Sequence, residues 1–150
     1  MYMAFDRLYY HIVFRTKNRI NSIDERYEKE LYAYIHAICK NKNVTLIRIN
    51  GTPCHIHMLI RTHTAFTLSD FVRDIKRASS LMMMSNKNFP LFDGWGEKYA
   101  CDTISFHEVE KIRAYIMNQK EHHKKIHFEE ELREIFGIEF TNNGFDDGTR

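Results

Sequence analysis

The chain has 150 residues, 43% hydrophobic and 28% charged, with a formal net charge of +2. That length suits one domain with a real core, taken here as residues 1–150. No apolar run approaches the roughly 20 residues of a membrane span, and three widely separated cysteines, Cys39, Cys54 and Cys101, form no CxxC pair and no disulfide framework. The N-terminal residues lack the apolar core of a signal peptide, so a cytoplasmic protein is expected. Charge is uneven. Residues 128–150 hold seven acids against Arg133 and Arg150, a net −5, which leaves about +7 on residues 1–127. A basic body with an acidic tail suits a polyanionic partner, though ordinary solvated charge accounts for it equally well.

Leu8-Tyr9-Tyr10-His11-Ile12-Val13-Phe14-Arg15 is aromatic and β-branched and reads as a first strand. A basic loop, Thr16–Asn21, follows. Ser22 or Asp24 is placed to cap a helix over Glu25 to Lys40, in which Tyr27, Leu31, Tyr34, Ile35 and Ile38 recur at helical spacing. Val44–Ile49 reads as a second strand, and Asn50-Gly51-Thr52-Pro53 as a hairpin turn. The third strand is Cys54-His55-Ile56-His57-Met58-Leu59-Ile60. A second helix begins near Leu68 with Thr67 as its cap, apolar along Phe71, Val72, Ile75 and Met82, basic along Arg73, Lys76 and Arg77. Asn86–Gly96 is a loop with the only tryptophan, Trp95. Lys98–Phe106 is a fourth strand. His107 to about Lys125 is a third helix, Phe128–Phe136 a short acidic one, and Asn142–Arg150 a frayed end. The order β-α-β-β-α-β-α predicts an α+β domain, an antiparallel sheet with helices packed on one face, close to a ferredoxin-like arrangement.

Chemistry concentrates in two stretches. Alternation on a strand sends His55 and His57 to one side, about 7 Å apart at the backbone, and Cys54, Ile56, Met58 and Ile60 to the other. That histidine spacing suits two ligands of one metal ion, although an isolated His-x-His serves a structural pair equally well. In the third helix, Tyr115 and Gln119 stand four apart on one face, with His122 near the same line. Gln119 offers a carbonyl oxygen, and with His55 and His57 it would make three N/O ligands with open positions, suited to Mg²⁺ or Mn²⁺. Tyr115, one turn away, is then a candidate nucleophile. His122-His123 reads by itself as a solvated pair. A structural zinc site drawing on His122, His123 or Cys101 is a competing arrangement.

Together these stretches carry a resemblance. His55-Ile56-His57 is similar to the His-hydrophobic-His signature of HUH endonucleases, and Tyr115-Ile116-Met117-Asn118-Gln119 resembles the tyrosine helix of the single-tyrosine, IS200-like transposases of small insertion sequences. Tyr9–Phe14 with Thr16-Lys17, Ile75-Lys76-Arg77-Ala78-Ser79-Ser80, Trp95–Tyr99 and Asn118–Lys125 resemble further stretches of the same family, so the likeness spans about residues 8–140. The resemblance implies an enzyme that nicks and rejoins single-stranded DNA at hairpin-flanked sites. Tyr115 would be the nucleophile of a 5′-phosphotyrosine intermediate, and His55, His57 and Gln119 would hold Mg²⁺ or Mn²⁺. It implies a homodimer in which the tyrosine helix has the option of serving the partner's histidines, with residues 106–108 as the linker that decides. The absence of a Gly-rich phosphate-binding motif agrees with a reaction that stores its bond energy in the phosphotyrosine. Arg15, Lys17, Arg19, Arg48, Arg73, Lys76 and Arg77 are candidate phosphate contacts. Exposed aromatics among Tyr9, Phe66, Phe89 and Trp95 are candidates to stack on unpaired bases. The alternatives are a host-adopted or non-mobile single-strand endonuclease and a non-catalytic ferredoxin-like nucleic-acid-binding module.

Overall fold

A computed structural model describes residues 5–123 and 128–136. The expected acidic tail beyond residue 136 and the frayed end at Asn142–Arg150 lie outside the described residues. Strand β1 runs Leu8–Arg15, helix α1 Glu28–Asn41, β2 Thr45–Thr52, β3 His55–Thr62, α2 Leu68–Met84 and β4 Ala100–Ile104. After a 3₁₀ turn at Phe106–Glu108 come α3 (Val109–Met117), α4 (Gln119–His122) and α5 (Phe128–Phe136). The strands form one antiparallel sheet in the order β2-β3-β1-β4. This is the ferredoxin-like α+β architecture that the order of elements predicts. Among the described residues no helix is long and apolar enough to cross a membrane.

One face of the sheet is the main core. Ile12 and Phe14 of β1 and Ile56, Met58 and Ile60 of β3 meet Leu31, Ile35 and Cys39 of α1 and Phe71, Val72, Ile75 and Met83 of α2. Period two on the strands and a 3.6 period on the helices bring these side chains to one layer. Tyr34, expected on the apolar side of α1, is exposed, and Cys39 takes the inner position instead. The helix begins at Glu28, after Tyr27, so neither Ser22 nor Asp24 caps it; the Asp24 carboxylate instead accepts from the backbone N–H of Arg26, 2.9 Å away. Thr67 does stand at the N-cap position of α2, with no side-chain capping bond.

The opposite face is buried too. His11, Val13, His55, His57 and Leu59 are sealed beneath α3, α4 and α5, whose Ile116, Gln119, Glu131 and Leu132 face them. The two long helices thus cover one face and the chain's last helices close the other, so helices pack on both faces of the sheet and not on one as expected, because both faces of β1 and β3 carry side chains that must be buried.

Two local corrections bear on the site. The hairpin turn lies at Pro53-Cys54, not at Asn50–Pro53: Asn50, Gly51 and Thr52 still pair with His57, Ile56 and His55. Cys54 is therefore a turn residue and does not enter the core. Gly51 is required where it sits, because a Cβ there would lie 2.1 Å from the carbonyl oxygen of His55. The third helix, expected to be continuous, breaks at Asn118 (φ −96°, ψ 17°). Asn50 stabilises the break: its Nδ2 donates to the terminal carbonyls of Ile116 and Met117, each at 3.0 Å, groups that a helix end leaves without partners. Lys120 fixes the next turn by donating to Asn50 Oδ1 at 2.9 Å and pairing with Glu28 at 2.8 Å.

Candidate active site

Strand alternation places both histidines of β3 under the closing helices, where each is fully buried. Each ring is held at Nδ1. The His55 Nδ1 lies 2.9 Å from the Thr52 hydroxyl across the hairpin, and the His57 Nδ1 lies 2.8 Å from Nε2 of His11 on β1. Both Nε2 atoms are thereby aimed at one point. There Nε2 of His55 comes within 3.1 Å of Nε2 of His123, and Nε2 of His57 lies 2.6 Å from Oε1 of Glu131. The other oxygen of Glu131 lies 2.8 Å from Nε2 of His123 and 3.4 Å from Nε2 of His122.

The electrostatics follow from this burial. Desolvation lowers the pKa of His55 to about 4 and outweighs the opposing pull of Glu131. His57 and His11 are lowered for the same first reason. Neutral imidazoles are the form that ligates metal ions. Glu131 is itself desolvated, which favours its acid form, but hydrogen bonds from His123, His55 and His57 prevail and hold it well below the usual carboxylate range. A buried anion thus faces three imidazole nitrogens. Ligand atoms of His55, His57, His123 and Glu131 all lie within 4.8 Å of one another. One carboxylate oxygen and imidazole nitrogens so grouped form a donor set for a divalent cation.

Tyr115 stands beside this cluster. Its ring lies 5.8 Å from that of His57, 6.2 Å from His11 and 5.0 Å from His122, each edge-on. Its hydroxyl is shielded from solvent and close enough to Glu131 and Gln119 for both to bear on its ionisation. Burial raises its pKa, and the nearby Glu131 carboxylate raises it further. Gln119, the first residue of α4, is fully buried, and neither its Oε1 nor its Nε2 has a partner among the described residues. A buried amide left so incompletely bonded is itself a mark of a site that expects a ligand. The structure therefore sets Tyr115 of α3 and Gln119 of α4 on the helices that cover His55 and His57, and it adds Glu131, which sequence reasoning did not select, and His123, which it offered only for a competing zinc site. Glu131 lies in an acidic run that reads as solvated charge, and no sequence signal distinguishes it. Cys101 of β4 pairs with Ile12 of β1 and is not among the clustered ligand atoms.

The candidate phosphate contacts divide. Lys17, Arg73, Lys76 and Arg77 line a cleft of about 590 Å³ between α2 and residues 93–99, with Trp95 and Tyr99. Within it the Lys76 ammonium donates to the carbonyls of Gly96, Glu97 and Lys98 at 2.7, 3.2 and 3.2 Å, so this lysine ties the loop to α2. Arg73 pairs with Asp70 and Asp74. Arg15 is buried, Arg48 is half-buried on β2, and Arg19 is exposed in a left-handed conformation, φ 56°. Of the proposed stacking rings, Tyr9 and Phe89 are buried, not exposed. Phe66 is half-buried against Tyr10 and Phe71, and Trp95 against Phe14 and Phe92.

Residues 4–119 match the family model described as "Transposase IS200 like". Over 120 residues the chain is 29% identical to the transposase for insertion sequence element IS200 of Salmonella typhimurium, covering 77% of this chain and 78% of the relative; the Salmonella typhi protein matches equally. Among solved structures, a putative transposase from Deinococcus radiodurans superposes with a TM-score of 0.63 at 26% identity, covering 79% of this chain and 95% of that one. A REP-associated tyrosine transposase bound to a REP hairpin shares the fold, with a TM-score of 0.63 at 15% identity over 84% of this chain and 75% of that one.

Proposed function

This chain belongs to the IS200-like transposase family, and we propose on that basis that it nicks and rejoins single-stranded DNA at hairpin-flanked sites through a 5′-phosphotyrosine. The observation that carries the reading is the edge-on seat of Tyr115 against His57, beside a buried cluster of neutral imidazoles and one carboxylate. His55, His57 and Gln119, with His123 and Glu131 as further donors, would hold a divalent cation, Mg²⁺ or Mn²⁺, which would supply Lewis-acid polarisation of a phosphate oxygen and ease ionisation of a nearby phenol.

The chain's own residues do the rest. The Tyr115 Oη attacks phosphorus as its proton leaves, and the imidazole of His122, 5.0 Å away ring to ring, is a candidate acceptor. The P–O3′ bond breaks, O3′ takes up a proton, and the products are a 3′-hydroxyl and a 5′-phosphotyrosine. A second 3′-hydroxyl reverses the step. Hairpin DNA is the proposed ligand because a neighbour of the same fold was solved with one, and the cleft lined by Lys17, Arg73 and Arg77 offers its phosphates positive charge. The working unit in this reading is a homodimer. Tyr115 lies beside His57 of its own chain, which supports a tyrosine acting within its own subunit, and exchange of the tyrosine helix between subunits is the alternative geometry of the same parts.

The test is incubation with labelled single-stranded DNA from the gene's own flanks and Mg²⁺ or Mn²⁺. A protease-sensitive labelled adduct is expected, lost in Tyr115→Phe while hairpin binding persists. Cleavage that proceeds without an adduct would overturn the tyrosine mechanism.

A further inference from the structure

His11 belongs to none of the roles assigned so far, yet it is fully buried and polar at the centre of β1. Strand register explains its place. Val13 pairs with His57 and His11 with Leu59, so His11 and His57 are diagonal neighbours on one face of the sheet. Their rings lie 5.1 Å apart, and Nε2 of His11 is 2.8 Å from Nδ1 of His57. Two imidazole nitrogens at that distance share a single proton: one ring donates and the other accepts.

The opposite nitrogen of His57 decides which. While Nε2 of His57 faces Oε1 of Glu131 at 2.6 Å, it carries the proton that the carboxylate accepts. A neutral ring holds only one proton, so Nδ1 of His57 then accepts from Nε2–H of His11. A metal-ligating Nε2 must offer a lone pair. The His57 proton must then sit on Nδ1, and Nδ1–H must find an acceptor in a site closed to water. His11 provides it: its Nε2 proton passes along the hydrogen bond to Nδ1 of His57, and the proton that Nε2 of His57 gives up as the cation enters ends on Nδ1 of His11. Each ring carries one proton in both arrangements: Nε2–H on both before, Nδ1–H on both after. The Nδ1 atom of His55 has the same freedom, since the Thr52 hydroxyl can donate or accept.

We propose that His11 is a positioning residue for the metal site, the partner that lets His57 exchange its Nε2–H for an Nδ1–H and so present Nε2 to a cation. The inference rests on the reading of His57 as a ligand. Partners of this kind change metal affinity by about 10–100-fold when removed. A residue serving only to fill space would be replaceable by any ring of similar size. A residue serving as a two-way hydrogen-bond partner would be replaceable by a carboxamide, which has both a donor and an acceptor.

The experiment uses the full chain, Mn²⁺ titration followed by electron paramagnetic resonance, and imidazole ¹⁵N NMR with and without Mg²⁺. His11→Phe is expected to weaken Mn²⁺ binding by about tenfold or more and to lower the melting temperature, since Nδ1 of His57 loses its buried partner, with hairpin-DNA binding close to that of the parent. His11→Gln is expected to recover most of the affinity. The His57 ¹⁵N spectrum is expected to change from the Nε2–H to the Nδ1–H form on adding Mg²⁺. Equal Mn²⁺ affinity in His11→Phe, or a His57 that keeps its tautomer on binding, overturns the role of His11 and leaves the metal reading intact. A parent protein that binds no Mn²⁺ overturns both. If His11→Phe does not fold, His11→Gln still decides, because Mn²⁺ affinity lost in this folded variant would count against a hydrogen-bonding role.

Discussion

Oε1 of Glu131 lies 2.6 Å from Nε2 of His57, joining the last described helix to a central strand across 74 positions of sequence. The same carboxylate reaches Nε2 of His123 at 2.8 Å through its other oxygen. Glu131 thus both closes the face of the sheet that holds the histidines and supplies its only buried acid among the described residues. Glu131→Gln keeps the shape and removes the charge. Mn²⁺ affinity is expected to fall by about tenfold or more, roughly 1.4 kcal/mol, as read by titration. Unchanged affinity would remove Glu131 from the donor set.

The histidines make stability depend on pH, and the sign follows from the direction of their shifts. The folded pKa of His55 is lowered by burial to about 4, below the ordinary histidine value of 6.5. Between those values the unfolded chain binds the proton and the folded chain does not. Stability is therefore full above about pH 6.5 and falls as pH drops toward 4. His57 and His11 shift in the same direction and steepen the trend. From one such group a loss on the order of 2 kcal/mol is expected between pH 7 and pH 5. Urea midpoints at the two pH values measure it, and His55→Asn should flatten the difference.

Gly51 faces Ile56 across the β2–β3 hairpin with no room for a side chain. Its missing Cβ would sit 2.1 Å from a backbone carbonyl, which cannot swing aside as a flexible side chain would. Gly51→Ala is expected to destabilise the fold by about 1–3 kcal/mol. It should also weaken Mn²⁺ binding, because the displaced carbonyl belongs to His55. A melting curve and a titration on the same sample check both.

Lys76 and Arg77 are adjacent and alike in charge, yet the structure separates their work. Lys76 binds three carbonyls of residues 96–98, whereas Arg77 is exposed on the cleft wall. Lys76→Met is expected to lower stability by about 2 kcal/mol and loosen the Trp95 loop. Arg77→Ala should leave stability within about 0.5 kcal/mol, reduce DNA affinity and lower the salt slope by about one. Thermal melts and DNA titrations at several salt concentrations distinguish them; equal behaviour of the two variants would refute the division.

By itself the sequence determined the alternation. Period two on β3 requires that His55 and His57 share a face and that Ile56, Met58 and Ile60 share the other, and the structure places them so. The order of strands and helices led to the ferredoxin-like sheet for a similar reason, since few topologies connect such elements without crossing. The nearness of Tyr115 to His57 was legible only through resemblance, because 58 residues of chain carry no distance of their own.

The tertiary structure alone decided what completes the cluster. His123 is aimed inward because the third helix breaks at Asn118, and that break is stabilised by Asn50, a strand residue distant in sequence. Glu131 lies in a run of three acids, and only the packing of α5 over the sheet buries this one. His11 sits in a strand whose pattern says merely that it is extended; the register of β1 against β3 makes it the neighbour of His57. Periodicity is local and can be read along the chain. Which groups meet across the sheet depends on where helices end and how strands register, and those are settled by contacts between segments that no local pattern encodes.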